Sequence, residues 1–246
     1  MIDRKKFFDR IRETIFNGHL KQDTVKGVEA ILDEWERRGL VDLRYLAYML
    51  ATARGEVGVN MLPVREGFKS TDAEARAYVK SKGYKYAAEV NGHVYYGRGL
   101  VQLTWHENYK KMGDILDIEL DDKPDLALEP KVASAIMFTG MILGTFTGKK
   151  LSDYFNEHTT DWDMARSIVN GRRKGEALPD RAKEFGAWGK QFYNALLFAD
   201  TAVDIKPKPP AAPDKPPPPP AKEDEPKVSD PPGFWQKFAN LFRPQA

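Results

Sequence analysis

Thirteen of the 17 prolines in this 246-residue chain lie in residues 205–246, five of them consecutively at Pro216–Pro220. That distribution constrains the fold more than any other feature. Proline fixes φ and removes a backbone donor, so such a segment builds no core and favours extended polyproline II. The chain therefore divides into a globular domain at 1–204, a disordered proline-rich linker at 205–232 and a short segment at 233–246. Charge divides the same way. The seven basic and five acidic side chains of 205–246 account for the net +2, and 1–204 carries 31 of each sign. A balanced domain offers no basic patch for nucleic acid.

Within 1–204 the apolar spacing is mostly helical. Phe7, Phe8, Ile11, Ile15 and Phe16 share one helical face. Asp23-Thr24 is expected to cap a helix that ends at Gly39. Residues 43–52 (LRYLAYMLAT) are apolar nearly all round, as in a buried helix whose continuation carries Glu56 out of the core. Residues 130–143 form an apolar helix with proline at its start. TDWDMARSIVNG reads as a capped helix stopped at Gly171, and a last long helix spans 179–200. Asn91-Gly92 between two β-rich runs at 84–104 predicts a hairpin.

There is no cysteine, and His19, His93, His106 and His158 lack metal-binding spacing, so neither metal nor cofactor is expected. The N-terminus is charged and amphipathic and lacks the apolar run of a signal peptide. Cytoplasmic synthesis is expected, with action in the periplasm or outside the cell after release by some other route.

Two stretches carry chemistry. RGEVGVNMLPVREGF (54–68) places Glu56 and Glu66 on either side of a short apolar run containing Pro63. A carboxyl at the edge of an apolar wall suits a general acid, and a second carboxyl across a cleft suits a base. Both could equally be surface charges paired with Arg54 and Arg65. YYGRGLVQLTWHENY (95–109) combines Gly97 and Gly99 around Arg98 with the amides and hydroxyl of Gln102, Thr104 and Asn108. Tyr95, Tyr96, Trp105 and Tyr109 add flat apolar faces. Sugar rings are recognised by that mixture; a hairpin leading into a half-buried helix is the simpler reading.

LAYMLATARGEVG, MLPVREGF, YYGRGLVQLTWHENYKKMG, GKKLSDYF and ARSIVNG occur in an order that resembles the family 19 glycoside hydrolases, the plant-type chitinase family. The resemblance covers about residues 1–200 and is strongest to the compact phage and prophage endolysin branch. It implies a mainly α, lysozyme-like bilobal domain with a small β-hairpin. It also implies Glu56 as catalytic acid, Glu66 as base, and Thr104 as a holder of the attacking water. Tyr96, Arg98, Gln102, Asn108, Asn170 and Arg181 would then bind substrate. The chain departs from the family at Gly55, where a histidine is usual, and at Val57, where many phage members have threonine. Arg54 is a candidate for the missing positive partner.

Past the linker, Phe234, Trp235, Phe238, Leu241 and Phe242 share one helical face beside Lys237 and Arg243. The pattern suits weak membrane or lipopolysaccharide contact, or a terminal helix docked on its own domain. The expectation is a monomeric, inverting glycoside hydrolase acting on β-1,4 bonds of cell-wall polysaccharide, peptidoglycan before chitin. A glycan-binding protein without turnover and a membrane-associated interaction protein are the other readings.

Overall fold

The computed structural model describes residues 2–171, 177–179 and 181–201. The linker and the segment 233–246, with Phe234, Trp235, Phe238, Leu241 and Phe242, lie outside the described residues.

The described chain is mainly helical: α1 (Arg4–Thr14), α2 (Gln22–Arg38), α3 (Leu43–Val57), α4 (Asp72–Ser81), α5 (His106–Leu116), α6 (Pro130–Leu143) and α7 (Ala182–Ala199). Asp3 opens α1 by accepting the Lys6 amide at 3.0 Å, and Asp42 opens α3 by accepting that of Arg44 at 3.0 Å. Gly39 ends α2 in the left-handed region (φ 62°), as its sequence position predicts. Every residue of α3 from Leu46 to Ala53 is buried. The helix is apolar all round because α7 packs on it and α2 and α6 also touch it.

A second, smaller apolar cluster of Ala75, Val79, Val94 and Tyr96, with Tyr78, Tyr86 and Ala87 against it, forms a minor lobe around α4. The bilobal expectation therefore holds. The main core is built on α1–α3, α6 and α7, and the small lobe lies beside it.

Three expectations are corrected. The α2 cap is Lys21, without a side-chain bond. Thr24 lies inside the helix, and its hydroxyl donates to the Val59 carbonyl at 2.9 Å, tying α2 to the loop after α3. The 84–104 hairpin shrinks to one bridge between Val90 and His93 around Asn91 (φ 49°) and Gly92 (φ 80°). Residues Lys85–Ala87 form a 3-10 turn instead of a strand. The sheet that does form pairs β1 (Val64–Arg65) antiparallel with β2 (Arg98–Gly99). Finally, ARSIV is not an α-helix: Met164–Ile168 is a 3-10 turn. The Thr147 hydroxyl reaches the Ser167 and Ile168 carbonyls at 2.7 and 3.0 Å and ties this turn to the loop after α6. Among the described residues no helix is long and apolar enough to cross a membrane.

Candidate active site

Glu56 sits in the last turn of α3, where burial gives way to partial exposure. Its Oε1 lies 2.5 Å from Nη1 of Arg166, whose side chain is 9% exposed. Neither Nη1 nor Nε of Arg166 finds an aligned hydrogen-bond acceptor, so the contact is an ion pair. The Arg166 guanidinium carbon lies over the ring of Phe185 of α7, 4.0 Å from its centroid.

Gly55 gains its reason here. A Cβ at position 55 would stand 2.1 Å from Cζ of Phe185, so the ring fills the space where a side chain would begin. The space that the histidine implied by the resemblance would take is thus filled by a buried phenylalanine from another helix. Arg54 does not replace the histidine as partner of Glu56. It stacks 4.8 Å from the Trp188 ring and 5.9 Å from Phe16, and burial lowers its basicity. Arg181 donates through Nη1 to the Gly55 carbonyl at 3.3 Å and through Nε to Glu184 at 2.6 Å.

Glu66 is delivered by the sheet. It follows β1 directly, and its amide donates to the Gly97 carbonyl at 2.8 Å. In return the Gly97 amide donates to Glu66 Oε2 at 2.8 Å. The Tyr86 hydroxyl donates to Oε1 at 2.7 Å. A Cβ on Gly97 would lie 2.8 Å from Gln102 Oε1 and 3.3 Å from Glu66 Oε2, so glycine lets both side chains share that space. Gln102, itself at φ 53°, donates to the Val64 and Gly99 carbonyls at 3.2 and 3.3 Å. Thr104 donates to the Gln102 carbonyl at 2.8 Å, and Asn108 to the Thr104 carbonyl at 2.8 Å. Gln102, Thr104 and Asn108 are therefore linked in sequence by these bonds, and Gln102 and Glu66 are both fastened to the paired strands β1 and β2 or their flanks.

Tyr96 and Arg98, expected along the sugar cleft, are instead buried beneath this loop. Arg98 is 1% exposed; it donates to Asp125 at 2.8 Å, to Asp72 at 3.1 Å and to the Val94 carbonyl at 3.0 Å. Its guanidinium lies 3.6 Å from the Tyr96 ring centroid, and the Tyr96 hydroxyl donates to Asp72 at 2.7 Å. Burial opposes ionisation of Asp72, but the bonds from Tyr96 and Arg76 and the charge of Arg98 outweigh it and hold its carboxyl below the usual range. Tyr95 and Tyr109 are buried as well, which leaves Trp105 as the exposed ring of the motif, 44% open. Asn170 is half-buried, its backbone N–H donating to the Arg166 carbonyl at 3.0 Å. Among the described residues no group of three or more His, Cys, Asp or Glu side chains is placed to hold a metal.

No family model matches this chain, and no curated protein matches it. Solved structures do. The crystal structure of chitinase C from Streptomyces griseus HUT6037 superposes with a TM-score of 0.52 at 20% identity, covering 79% of this chain and 76% of that one. The chain has the chitinase C fold. A mutant of chitinase C is similar at a TM-score of 0.48 and 20% identity, covering 79% of this chain and 92% of that one. A bacterial family 19 chitinase gives 0.47 and 19%, covering 79% and 94%. Within the chitinase C fold, Arg166, Phe185 and Tyr86 are the site residues that sequence reasoning missed. Arg166 lay inside the ARSIVNG match, but nothing local tied it to Glu56. Phe185 lies within the 179–200 helix and Tyr86 within the 84–104 run, and no sequence pattern sets either apart.

Proposed function

We propose that this chain is a glycoside hydrolase that cuts β-1,4 bonds in N-acetylglucosamine-containing polymers with inversion, and that peptidoglycan is its preferred substrate. The observation that carries the reading is the separate anchoring of two carboxylates, Glu56 by Arg166 and Glu66 by Tyr86 and the Gly97 amide. Glu56 gives its proton to the glycosidic oxygen as the bond to the anomeric carbon breaks. Glu66 takes a proton from a water that attacks that carbon from the opposite face, in the manner of inverting enzymes. Thr104 donates its own hydrogen to the Gln102 carbonyl, so its oxygen is left to accept from that water. Gln102, Asn108, Asn170 and Arg181 are the proposed sugar contacts.

Peptidoglycan is favoured by the resemblance of the ordered motifs to the compact phage branch. Chitin is the second reading, favoured by the name of the chitinase whose fold the chain shares. The proposed place of action is the periplasm or the exterior after release. Weak lipid or lipopolysaccharide contact is proposed for Phe234, Trp235, Phe238, Leu241 and Phe242.

Mass spectrometry of a digest of purified sacculi tests the substrate. The expected products are disaccharide-peptides with N-acetylmuramic acid at a free reducing end. Cleavage of N-acetylglucosamine oligomers with intact sacculi would favour chitin. Anhydro-sugar ends, or no product from either polymer, would contradict hydrolysis.

A further inference from the structure

Tyr86 is carried by the 3-10 turn Lys85–Ala87, which is closed by the Ala87 amide donating to the Tyr84 carbonyl at 3.0 Å. Its hydroxyl and the Gly97 amide each hold one oxygen of Glu66, which fixes both the direction and the plane of the carboxylate. Burial first, and the Glu66 carboxylate next, hold the Tyr86 phenol well above its ordinary value, so it remains a donor. The ring end of Tyr86 faces two half-exposed aromatics. Trp105 meets it edge-on at 5.3 Å and 75°, and Tyr84 lies 5.1 Å away. Trp105 is not a glycine, yet it sits at φ 75° with its amide bound to the Tyr95 carbonyl at 2.9 Å. A positive φ at an exposed, bulky residue is strained, and such strain persists where the surrounding structure holds it, often at functional sites.

We propose that Tyr86 is a positioning residue that couples a sugar ring stacked on the exposed Tyr84–Trp105 surface to the aim of the Glu66 carboxylate. The occupant is an N-acetylhexosamine unit of the glycan, whose CH face matches an aromatic ring. The inference rests on the reading of Glu66 as base. A ring that settles on Trp105 also steadies the edge of Tyr86, and the hydroxyl at its other end then holds Glu66 in line.

Tyr86→Phe keeps the ring and deletes only the donor. Measured on soluble N-acetylglucosamine oligosaccharides and on sacculi, it is expected to lower kcat about 10- to 100-fold, the scale of a misplacement near 1 Å. KM is expected to stay within about twofold, since the ring that binds sugar is kept, with the melting temperature unchanged. Trp105→Ala is expected to raise KM and lower kcat, yet to lower kcat no further in the Tyr86→Phe background. Additive losses in kcat would overturn the coupling. Wild-type kcat in Tyr86→Phe alongside an inactive Glu66→Gln would overturn the positioning role alone. If Glu66→Gln is itself fully active, the base assignment falls, and a crystal structure of Tyr86→Phe decides the rest. A Glu66 carboxylate displaced from the Gly97 amide would support positioning by the hydroxyl, and an unmoved one would overturn it.

Discussion

Glu56→Gln is expected to lower kcat on peptidoglycan by about 10²–10⁴-fold, the range for loss of a positioned general acid. The substitution keeps the shape of the side chain and its place at the end of α3, a helix buried against α7. It removes the ionisable carboxyl, which pairs with Arg166 when charged and gives up a proton when protonated. Arg166 retains its stacking on Phe185, so the local packing survives. The loss is therefore expected in kcat, with KM little changed and the circular dichroism spectrum of the wild type. Release of reducing ends from sacculi measures it. Near-wild-type turnover in this variant would remove Glu56 from the mechanism.

Arg98→Met is expected to destabilise the protein by about 3 kcal/mol, the low end of the 3–5 kcal/mol that follows from removing one partner of a buried ion pair. The low end applies because Asp72 and Asp125 are 38% and 50% exposed and can regain water. The Val94 carbonyl loses its bond from Nη1, and the Tyr96 ring loses its stacked cation. At roughly 2–4 °C per kcal/mol for a domain of this size, the melting temperature falls by about 6–12 °C. Thermal and urea unfolding read this directly. A change below about 1 kcal/mol would mean that Arg98 is not the joint between β2, α4 and the 124–128 turn; surface pairs are the class that contributes so little.

The helices that were legible in the sequence are those whose local signals agree. α3 and α6 are apolar runs bounded by Asp42 and Pro130, and their residues fill the core wherever they fall on the helix. Glu56 could be placed from that pattern, because the helix that carries it is fixed by burial. Glu66 could be placed on a loop, but its anchoring depends on β1 meeting β2 across more than thirty residues of chain. No period in the sequence encodes such a contact. Tyr96 and Arg98 misled for a physical reason. A tyrosine and an arginine between glycines suit a sugar face, and here two aspartates from distant segments draw both inward. Gly55 was legible as a departure but not as a solution, since the ring that requires it comes from α7. ARSIV had the composition of a helix, and it forms instead a 3-10 turn tied to Thr147, a contact from twenty residues away that no local pattern encodes.

The central claim is that Glu56 and Glu66 act as acid and base on opposite faces of one sugar. The anomeric configuration of the first product tests it most directly, followed by proton NMR on a soluble N-acetylglucosamine oligosaccharide before mutarotation. A base that activates water gives the α-anomer at the new reducing end. Initial release of the β-anomer would mean retention and would contradict the role given to Glu66.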